Sequence, residues 1–273
     1  MKYESLYDGK KLPVVGLGTW KIGGEMTADY SHDDEAIDII RKAIKMGYSH
    51  IDTAQMYGGG HTEELVGKAI RPLKREDLLI TTKVWSNNLR YRDVLYEFDI
   101  SLKKLDTDYV DLFLIHWPNP VIPLKETFRA FNEIVKSGRV KYVGVSNFSI
   151  KQLKRAQTFS DIPISTNQVE YSVLSREPES TGLLEYCQKN HILLIAYEPL
   201  GKGRLFHHPG LKRIADESNA TLAQIAIHWL IRKPKVITIP MSSKEDHLRE
   251  NLEAVDLKLS VEILESLDRL APV

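Results

Sequence analysis

Short, wholly apolar runs alternate along the chain with longer stretches in which apolar residues recur every three or four positions. The runs predict strands at Val14–Thr19, His50–Thr53, Leu78–Val84, Asp111–His116, Val140–Ser146, Thr166–Val169, Ile192–Tyr197 and Val236–Pro240. Between them, Ala36, Ile37, Ile40, Ala43 and Ile44 form one helical stripe, and Leu222, Ile225, Ala226, Trp229 and Leu230 another. Asp33, Asp34 and Thr221 read as helix N-terminal signals. Runs such as Leu112-Phe113-Leu114-Ile115 are apolar at every position, as strands covered on both faces are. This alternation predicts an α/β fold, a (β/α)8 TIM barrel. A doubly wound open sheet alternates in the same way, and periodicity does not separate the two. Asp8-Gly9 is a hairpin turn signal, so a short N-terminal β-hairpin is expected before the first barrel strand. No linker or charge run divides the chain, and residues 1–273 are expected to form a single domain.

Composition narrows the class of partner. Hydrophobic residues make up 42% and charged residues 27%, ordinary values for a globular chain. Lys plus Arg and Asp plus Glu each total 37, so no global field attracts nucleic acid or an anionic membrane. The polar surface is compatible with a monomer or weak oligomer. The single cysteine, Cys187, excludes an intrachain disulfide and reads as a small buried hydrophobe on a helix from Gly182 to Asn190. Met1-Lys2-Tyr3-Glu4-Ser5 lacks the apolar core of a signal peptide, and no run approaches the roughly 20 apolar residues a bilayer span needs. A cytoplasmic location is expected. His207-His208-Pro209 reads as a surface loop with no third ligand nearby, and no metal is expected.

The candidate chemistry lies at strand ends. Asp52 closes His50-Ile51-Asp52, Lys83 closes Leu79-Ile80-Thr81-Thr82-Lys83, and His116 closes Leu112-Phe113-Leu114-Ile115-His116. Ser146 and Asn147 follow Val143-Gly144-Val145, and Gln168 and Tyr197 end two further strands. Taken singly, the aspartate reads as a cap, the lysine as solvated and the histidine as structural. Their coincidence at corresponding strand ends points to one site, because a parallel barrel brings those ends to one face. A buried lysine needs a carboxylate, and Asp52 can supply it. Free tyrosine has a pKa of about 10 and is a weak acid near neutrality. An ammonium beside Tyr57 would lower that pKa, Asp52 would hold the ammonium charged, and His116 could aim a substrate oxygen at the phenol. That is general acid catalysis on a polarised carbonyl.

At these residues the chain resembles the aldo-keto reductase family over nearly its full length. Gly16-Leu17-Gly18-Thr19-Trp20 looks like the family's first strand, and Gly47-Tyr48-Ser49-His50-Ile51-Asp52-Thr53-Ala54 with Tyr57-Gly58 resembles its first signature. Lys83-Val84-Trp85 and Leu114-Ile115-His116-Trp117-Pro118 resemble the lysine and histidine segments. Gly144-Val145-Ser146-Asn147-Phe148 and Asn167-Gln168-Val169-Glu170-Tyr171 are similar to two cofactor segments. The resemblance implies an NAD(P)H-dependent reductase of aldehydes and ketones, sugar-like or small aromatic ones included. It implies Tyr57 as proton donor, Asp52 and Lys83 as the groups that tune it, and His116 as the residue that orients the carbonyl. It implies Ser146, Asn147 and Gln168 on the nicotinamide carboxamide and Tyr197 stacked on the ring. Thr19, Trp20, Asp52 and Leu200 complete that part of the cofactor set. Trp20, Trp85 and Trp117 would line the substrate pocket with His116, whereas Trp229, on a helical stripe, reads as core. No Gly-x-Gly-x-x-Gly turn opens a helix here, so the dinucleotide must be held in another way. The family places the adenosine phosphate by the last strand and helix, which here carry Ser242, Ser243, Lys244, His247, Glu250 and Asn251.

Three departures qualify that picture. Met241 and His247 stand where many members carry Lys and Arg against the 2′-phosphate. Lys244 can compensate, so NADP(H) is expected to be preferred with NAD(H) also used. Glu198 stands where serine is commoner, and a carboxylate facing pyrophosphate would repel it. It either points away or reaches a ribose hydroxyl. Only Ala271-Pro272-Val273 follow the last helical pattern, Val261 to Leu270, which implies an open pocket and broad specificity. The competing readings are a non-catalytic cofactor-binding subunit of the same fold and a metal-dependent barrel hydrolase. The second needs more strand-end ligands than Asp52 and His116 supply.

Overall fold

The computed structural model describes residues 2–270, so the ending Ala271-Pro272-Val273 lies outside the described residues. At the start, β1 (Tyr3–Ser5) and β2 (Lys11–Pro13) pair antiparallel as the expected hairpin. Its turn is set by Gly9 at φ 89° and by the Asp8 carboxylate, which accepts from the Lys10 N–H at 3.0 Å.

The remaining strands are β3 (Leu17–Gly18), β4 (His50–Asp52), β5 (Leu79–Val84), β6 (Val110–Ile115), β7 (Val140–Ser146), β8 (Thr166–Glu170), β9 (Leu193–Tyr197) and β10 (Val236–Thr238). They form one eight-stranded sheet in the order β3-β4-β5-β6-β7-β8-β9-β10. Neighbours in sequence are neighbours in the sheet, with none of the order reversal that defines a doubly wound sheet. The fold is therefore (β/α)8. The expected strand Val14–Thr19 is regular only at Leu17–Gly18 because it changes partners midway. Val14 and Gly16 exchange backbone bonds with Thr238 at 2.9 and 2.8 Å, whereas Leu17 and Gly18 pair with Ile51 and Asp52.

Two compact units can be described, each on its own terms: Leu17–Asn167, and the residues up to Gly16 with those from Gln168 onward. In the first, every residue of β4, β5 and β6 is buried, as their apolar runs predict. Its helices are α1 (Asp33–Met46), α2 (His61–Ile70), α3 (Tyr91–Leu105), α4 (Leu124–Lys136) and α5 (Ile150–Gln157). Phe98, Phe113 and Phe131 pack in sequence with ring centroids 4.8 Å apart at each step, tying α3 and α4 to β6. Gly144 on β7 has no room for a side chain, since a Cβ would lie 2.1 Å from Thr166 Oγ1 and 2.5 Å from Leu114 Cδ2. The α1 stripe buries Ile40 and Ala43, while Asp33 and Asp34 occupy its first turn behind the N-cap His32.

The second unit carries α6 (Glu177–Ser180), α7 (Leu183–Lys189), α8 (Pro209–Ser218), α9 (Leu222–Ile231), α10 (Glu245–Glu253) and α11 (Val261–Arg269). Thr221 caps α9 in a reciprocal box, its hydroxyl accepting from Gln224 N–H at 3.2 Å and its own N–H donating to Gln224 Oε1 at 3.0 Å. Trp229 is fully buried and donates from Nε1 to Asp268 at 2.8 Å, so it belongs to the core. Cys187 is buried on α7, and burial pushes its thiol up to about 12. His208 caps α8, its Nδ1 accepting from Leu211 N–H at 3.3 Å. Among the described residues no helix is long and apolar enough to cross a membrane.

Candidate active site

Lys83, one residue from the end of β5, is fully buried, and so is Asp52 at the end of β4. An ammonium has three N–H groups, and here each has an acceptor. Lys83 Nζ donates to Asp52 Oδ1 at 2.5 Å, to the Thr53 carbonyl at 2.9 Å and to Tyr57 Oη at 3.2 Å. Burial pushes the lysine pKa down, but the Asp52 carboxylate and Tyr57 outweigh it and hold the pKa above its ordinary value. The lysine is therefore a fixed cation bonded to the phenol oxygen.

Tyr57 opens a tight 3-10 turn, Tyr57–Gly60, between β4 and α2. Gly58 follows at φ 56°, and a Cβ there would meet the Gly23 carbonyl at 2.6 Å. The Gly58 N–H donates to the Glu25 carbonyl at 2.8 Å. The phenol is thereby set by backbone on one side and by Lys83 on the other. Its ring meets Trp20 edge-on with centroids 4.9 Å apart and His116 at 5.7 Å; Trp85 in turn packs edge-on to His116 at 5.3 Å. Trp20 is fastened through Thr19, whose N–H and hydroxyl both donate to the Asp52 carbonyl, at 3.1 and 2.9 Å.

His116 follows directly on β6, and its N–H donates to the Val84 carbonyl at 3.0 Å. Burial, with the Lys83 charge behind it, pushes its imidazole down to about 2. The ring is neutral throughout the working range and keeps one N–H to offer. Its Nδ1 is buried without a hydrogen-bond partner. The arrangement brings a fixed ammonium, a phenol and a neutral imidazole together, the set needed to protonate an oxygen gaining negative charge.

The other predicted residues fall as follows. Asn147, after β7, adopts φ 62° and donates to Ser146 Oγ at 3.0 Å and to the His116 carbonyl at 3.3 Å. Gln168 is buried on β8, and Tyr197 ends β9. Leu200 lies just beyond, in the turn leading to the 3-10 segment Gly201–His207. Ser242, Ser243 and Lys244 do precede a helix, α10. The Ser242 hydroxyl is spent within that turn, accepting from Lys244 N–H at 3.0 Å, which leaves Ser243 and Lys244 on the exposed side. On α10, His247 is exposed, Glu250 half-buried and Asn251 buried. Glu198 adopts φ 52° and pairs with Lys202 at 3.1 Å, so its charge is neutralised within its own loop. Trp117 is 43% exposed on the loop after His116. Sequence reading missed the Thr53 carbonyl as a lysine acceptor, because a backbone atom leaves no mark on residue type. It also missed Gln55 and Glu97, which brace the connector carrying Tyr57.

A second buried histidine lies at the start of β4. His50 Nε2 sits 2.9 Å from Thr81 Oγ1, and burial pushes its pKa down to about 4. The unfolded chain takes up a proton near the ordinary value of 6.5 while the folded chain refuses it. Stability from this group is thus full above pH 6.5 and declines as the pH falls toward 4. Urea titrations should show stability dropping from pH 7 to pH 5, with His50 responsible for about 2 kcal/mol of the drop. A His50→Asn variant should be less stable at neutral pH yet lose that much less on acidification; an unchanged slope would refute the assignment.

The model of the Aldo/keto reductase family matches residues 14–272. The chain is 36% identical to the glyoxal reductase of Bacillus subtilis over 267 residues, 97% of this chain and 91% of that protein. Among solved structures it superposes on the thermostable aldo-keto reductase Tm1743, bound to the inhibitor epalrestat, with a TM-score of 0.94 and 50% identity, over 98% of this chain and 99% of that one. The aldo/keto reductase of Klebsiella pneumoniae, in complex with NADP and acetate, gives a TM-score of 0.91 at 34% identity, covering 99% and 95% of the two chains.

Proposed function

Because the chain belongs to the aldo/keto reductase family, we propose that it is a carbonyl-reducing oxidoreductase in which Tyr57 protonates an aldehyde or ketone oxygen. The observation that carries the reading is the three-way bonding of Lys83 to Asp52, the Thr53 carbonyl and Tyr57, with neutral His116 alongside. In reduction the substrate oxygen gains charge as its carbon is reduced. Tyr57 gives up its proton to that oxygen, and Lys83 favours the phenolate left behind. His116, held neutral, offers an N–H to the same oxygen. In oxidation the phenolate takes the proton back.

A nicotinamide dinucleotide, when bound, supplies the hydride for the carbonyl carbon. The residues fit such a group by the chemistry of their donor set. Ser146, Asn147 and Gln168 offer a hydroxyl and two side-chain amides, which together both donate and accept, as a carboxamide requires. Tyr197 offers a ring face for the nicotinamide. Ser243 and Lys244, at the N-terminus of α10, suit a phosphate, and Asn251 suits the base or ribose beside it. Support for the nicotinamide comes from the NADP bound in the Klebsiella pneumoniae relative.

Lys244 is the cationic residue assigned to the 2′-phosphate, so NADPH is preferred and NADH accepted. A charge-assisted hydrogen bond is worth about 1.5–3 kcal/mol, or roughly ten- to a hundredfold in affinity. Lys244→Ala should weaken NADPH binding by about tenfold in a fluorescence titration and leave NADH nearly untouched. Equal efficiency of the wild type with the two cofactors, or better efficiency with NADH, would remove this assignment.

The substrates proposed are small aldehydes and ketones, sugar-like and aromatic ones included. One family model spans residues 14–272, which supports a single domain over residues 1–273. A cytoplasmic monomer or weak oligomer, without nucleic acid or membrane partners, completes the proposal. The test is loss of NADPH absorbance with glyceraldehyde and with a panel of aromatic aldehydes. Turnover is expected; a chain that binds NADPH and reduces none of them is a cofactor-binding subunit.

A further inference from the structure

Between β4 and Tyr57 the connector passes Gln55, whose N–H donates to the Lys83 carbonyl at 3.2 Å. The Gln55 side chain works in two directions. Its Oε1 accepts from the Trp85 backbone N–H at 3.2 Å, and its Nε2 donates to Glu97 Oε2 on α3. The other carboxylate oxygen, Glu97 Oε1, accepts from Asn88 Nδ2 at 3.1 Å. Asn88 ends the 3-10 turn Ser86–Asn88, which starts just after Trp85, and its N–H donates to the Trp85 carbonyl at 3.0 Å. From the far side, Asn119 Nδ2 donates to the Ser86 carbonyl at 3.0 Å and joins the loop after His116 to the same turn.

One half-buried carboxylate therefore fastens both the connector that bears Tyr57 and the turn that bears Trp85. None of its contacts reaches the reacting oxygen. What it fixes is the backbone of Trp85, whose ring stands edge-on to His116 at 5.3 Å and 83°. We propose that Glu97 is a positioning residue: through Gln55 and Asn88 it sets the place of Trp85 and so the width of the carbonyl pocket on that side. The proposal rests on the carbonyl-reductase reading. A three-carbon aldehyde held at Tyr57 and His116 has little to place against Trp85, whereas an aromatic aldehyde has a ring to lodge there. Glu97 then governs selection between substrates, while Tyr57 keeps its own anchors for the proton transfer, the Lys83 bond and the Gly58 turn.

The test compares wild type, Glu97→Ala, Trp85→Ala and the double variant, with Glu97→Gln as a milder substitute if Glu97→Ala folds poorly. Glu97→Ala should raise KM for benzaldehyde about tenfold, the size of one lost hydrogen bond to a charged group, and change kcat and KM for glyceraldehyde less than about twofold. In the Trp85→Ala background the same substitution should add nothing to the benzaldehyde-to-glyceraldehyde ratio. Hydrogen exchange supplies a readout independent of turnover: the Trp85 amide should exchange about tenfold faster in Glu97→Ala. An equal loss with both aldehydes, a full effect in the Trp85→Ala background, or an unchanged Trp85 amide each overturns the proposal. A wild type that reduces neither aldehyde defeats the carbonyl-reductase reading instead, and the exchange measurement still decides the role of Glu97.

Discussion

Replacing Tyr57 by phenylalanine is expected to lower kcat for aldehyde reduction by about 10²–10⁴-fold, the range that a positioned general acid contributes. The substitution removes one oxygen and keeps the ring, so the edge contacts with Trp20 at 4.9 Å and His116 at 5.7 Å persist. The Lys83 ammonium keeps its bonds to Asp52 and the Thr53 carbonyl and loses only the third acceptor. Stability and NADPH affinity should therefore change little while the chemical step collapses. Single-turnover absorbance at saturating NADPH isolates that step from product release. A variant that keeps more than about a tenth of the wild-type rate would mean that the proton comes from elsewhere.

Lys83→Met is expected to act on both activity and folding. Methionine matches the lysine stem in length but carries no charge, which leaves the Asp52 carboxylate buried with its cation gone. Breaking a buried pair by removing one partner costs about 3–5 kcal/mol. Activity should fall as well, because the ammonium that favours the Tyr57 phenolate is gone. The two effects separate in the double variant Asp52→Asn, Lys83→Met. With both charges gone, most of the lost stability should return in a denaturant titration, while kcat stays as low as in the single variant. Recovery of activity alongside stability would show that the lysine acts only as a structural tie.

How much of this was legible in the sequence depends on whether a feature is written in side-chain type. The strand ends were legible because each breaks an apolar run with one polar residue, as Ile115 gives way to His116. Seven of the eight barrel strands begin and end within two residues of the expected positions. The first is shorter because the segment swaps partners at Gly16–Leu17, and pairing is invisible to periodicity. Asp52 and Lys83 could be paired in advance, since a buried ammonium requires a carboxylate. Tyr57 was different: it ends no strand, and it was marked by the chemistry that Lys83 and His116 would need and by the family resemblance. The left-handed Gly58 that sets it lies in a run of three glycines, whose composition says turn without saying which carbonyl it faces. Glu97 was hidden for another reason. A single glutamate on an amphipathic helix looks like any solvated residue, and only the fold reveals that its carboxylate faces Gln55 and Asn88. Glu198 had two open readings. Its pairing with Lys202 shows a neutralised carboxylate, an i,i+4 contact present in the sequence but meaningful only once the loop is folded.

The burial of Cys187 carries a consequence of its own. Aldehydes are electrophiles, and those with a second carbonyl or a conjugated double bond alkylate soft nucleophiles, thiolates above all. An enzyme that gathers such compounds at its surface risks being modified by them. This chain has one cysteine, buried on α7 with its thiol held protonated, so it presents no exposed thiolate to reactive aldehydes. The same burial leaves no exposed thiol through which an oxidant could switch the protein off.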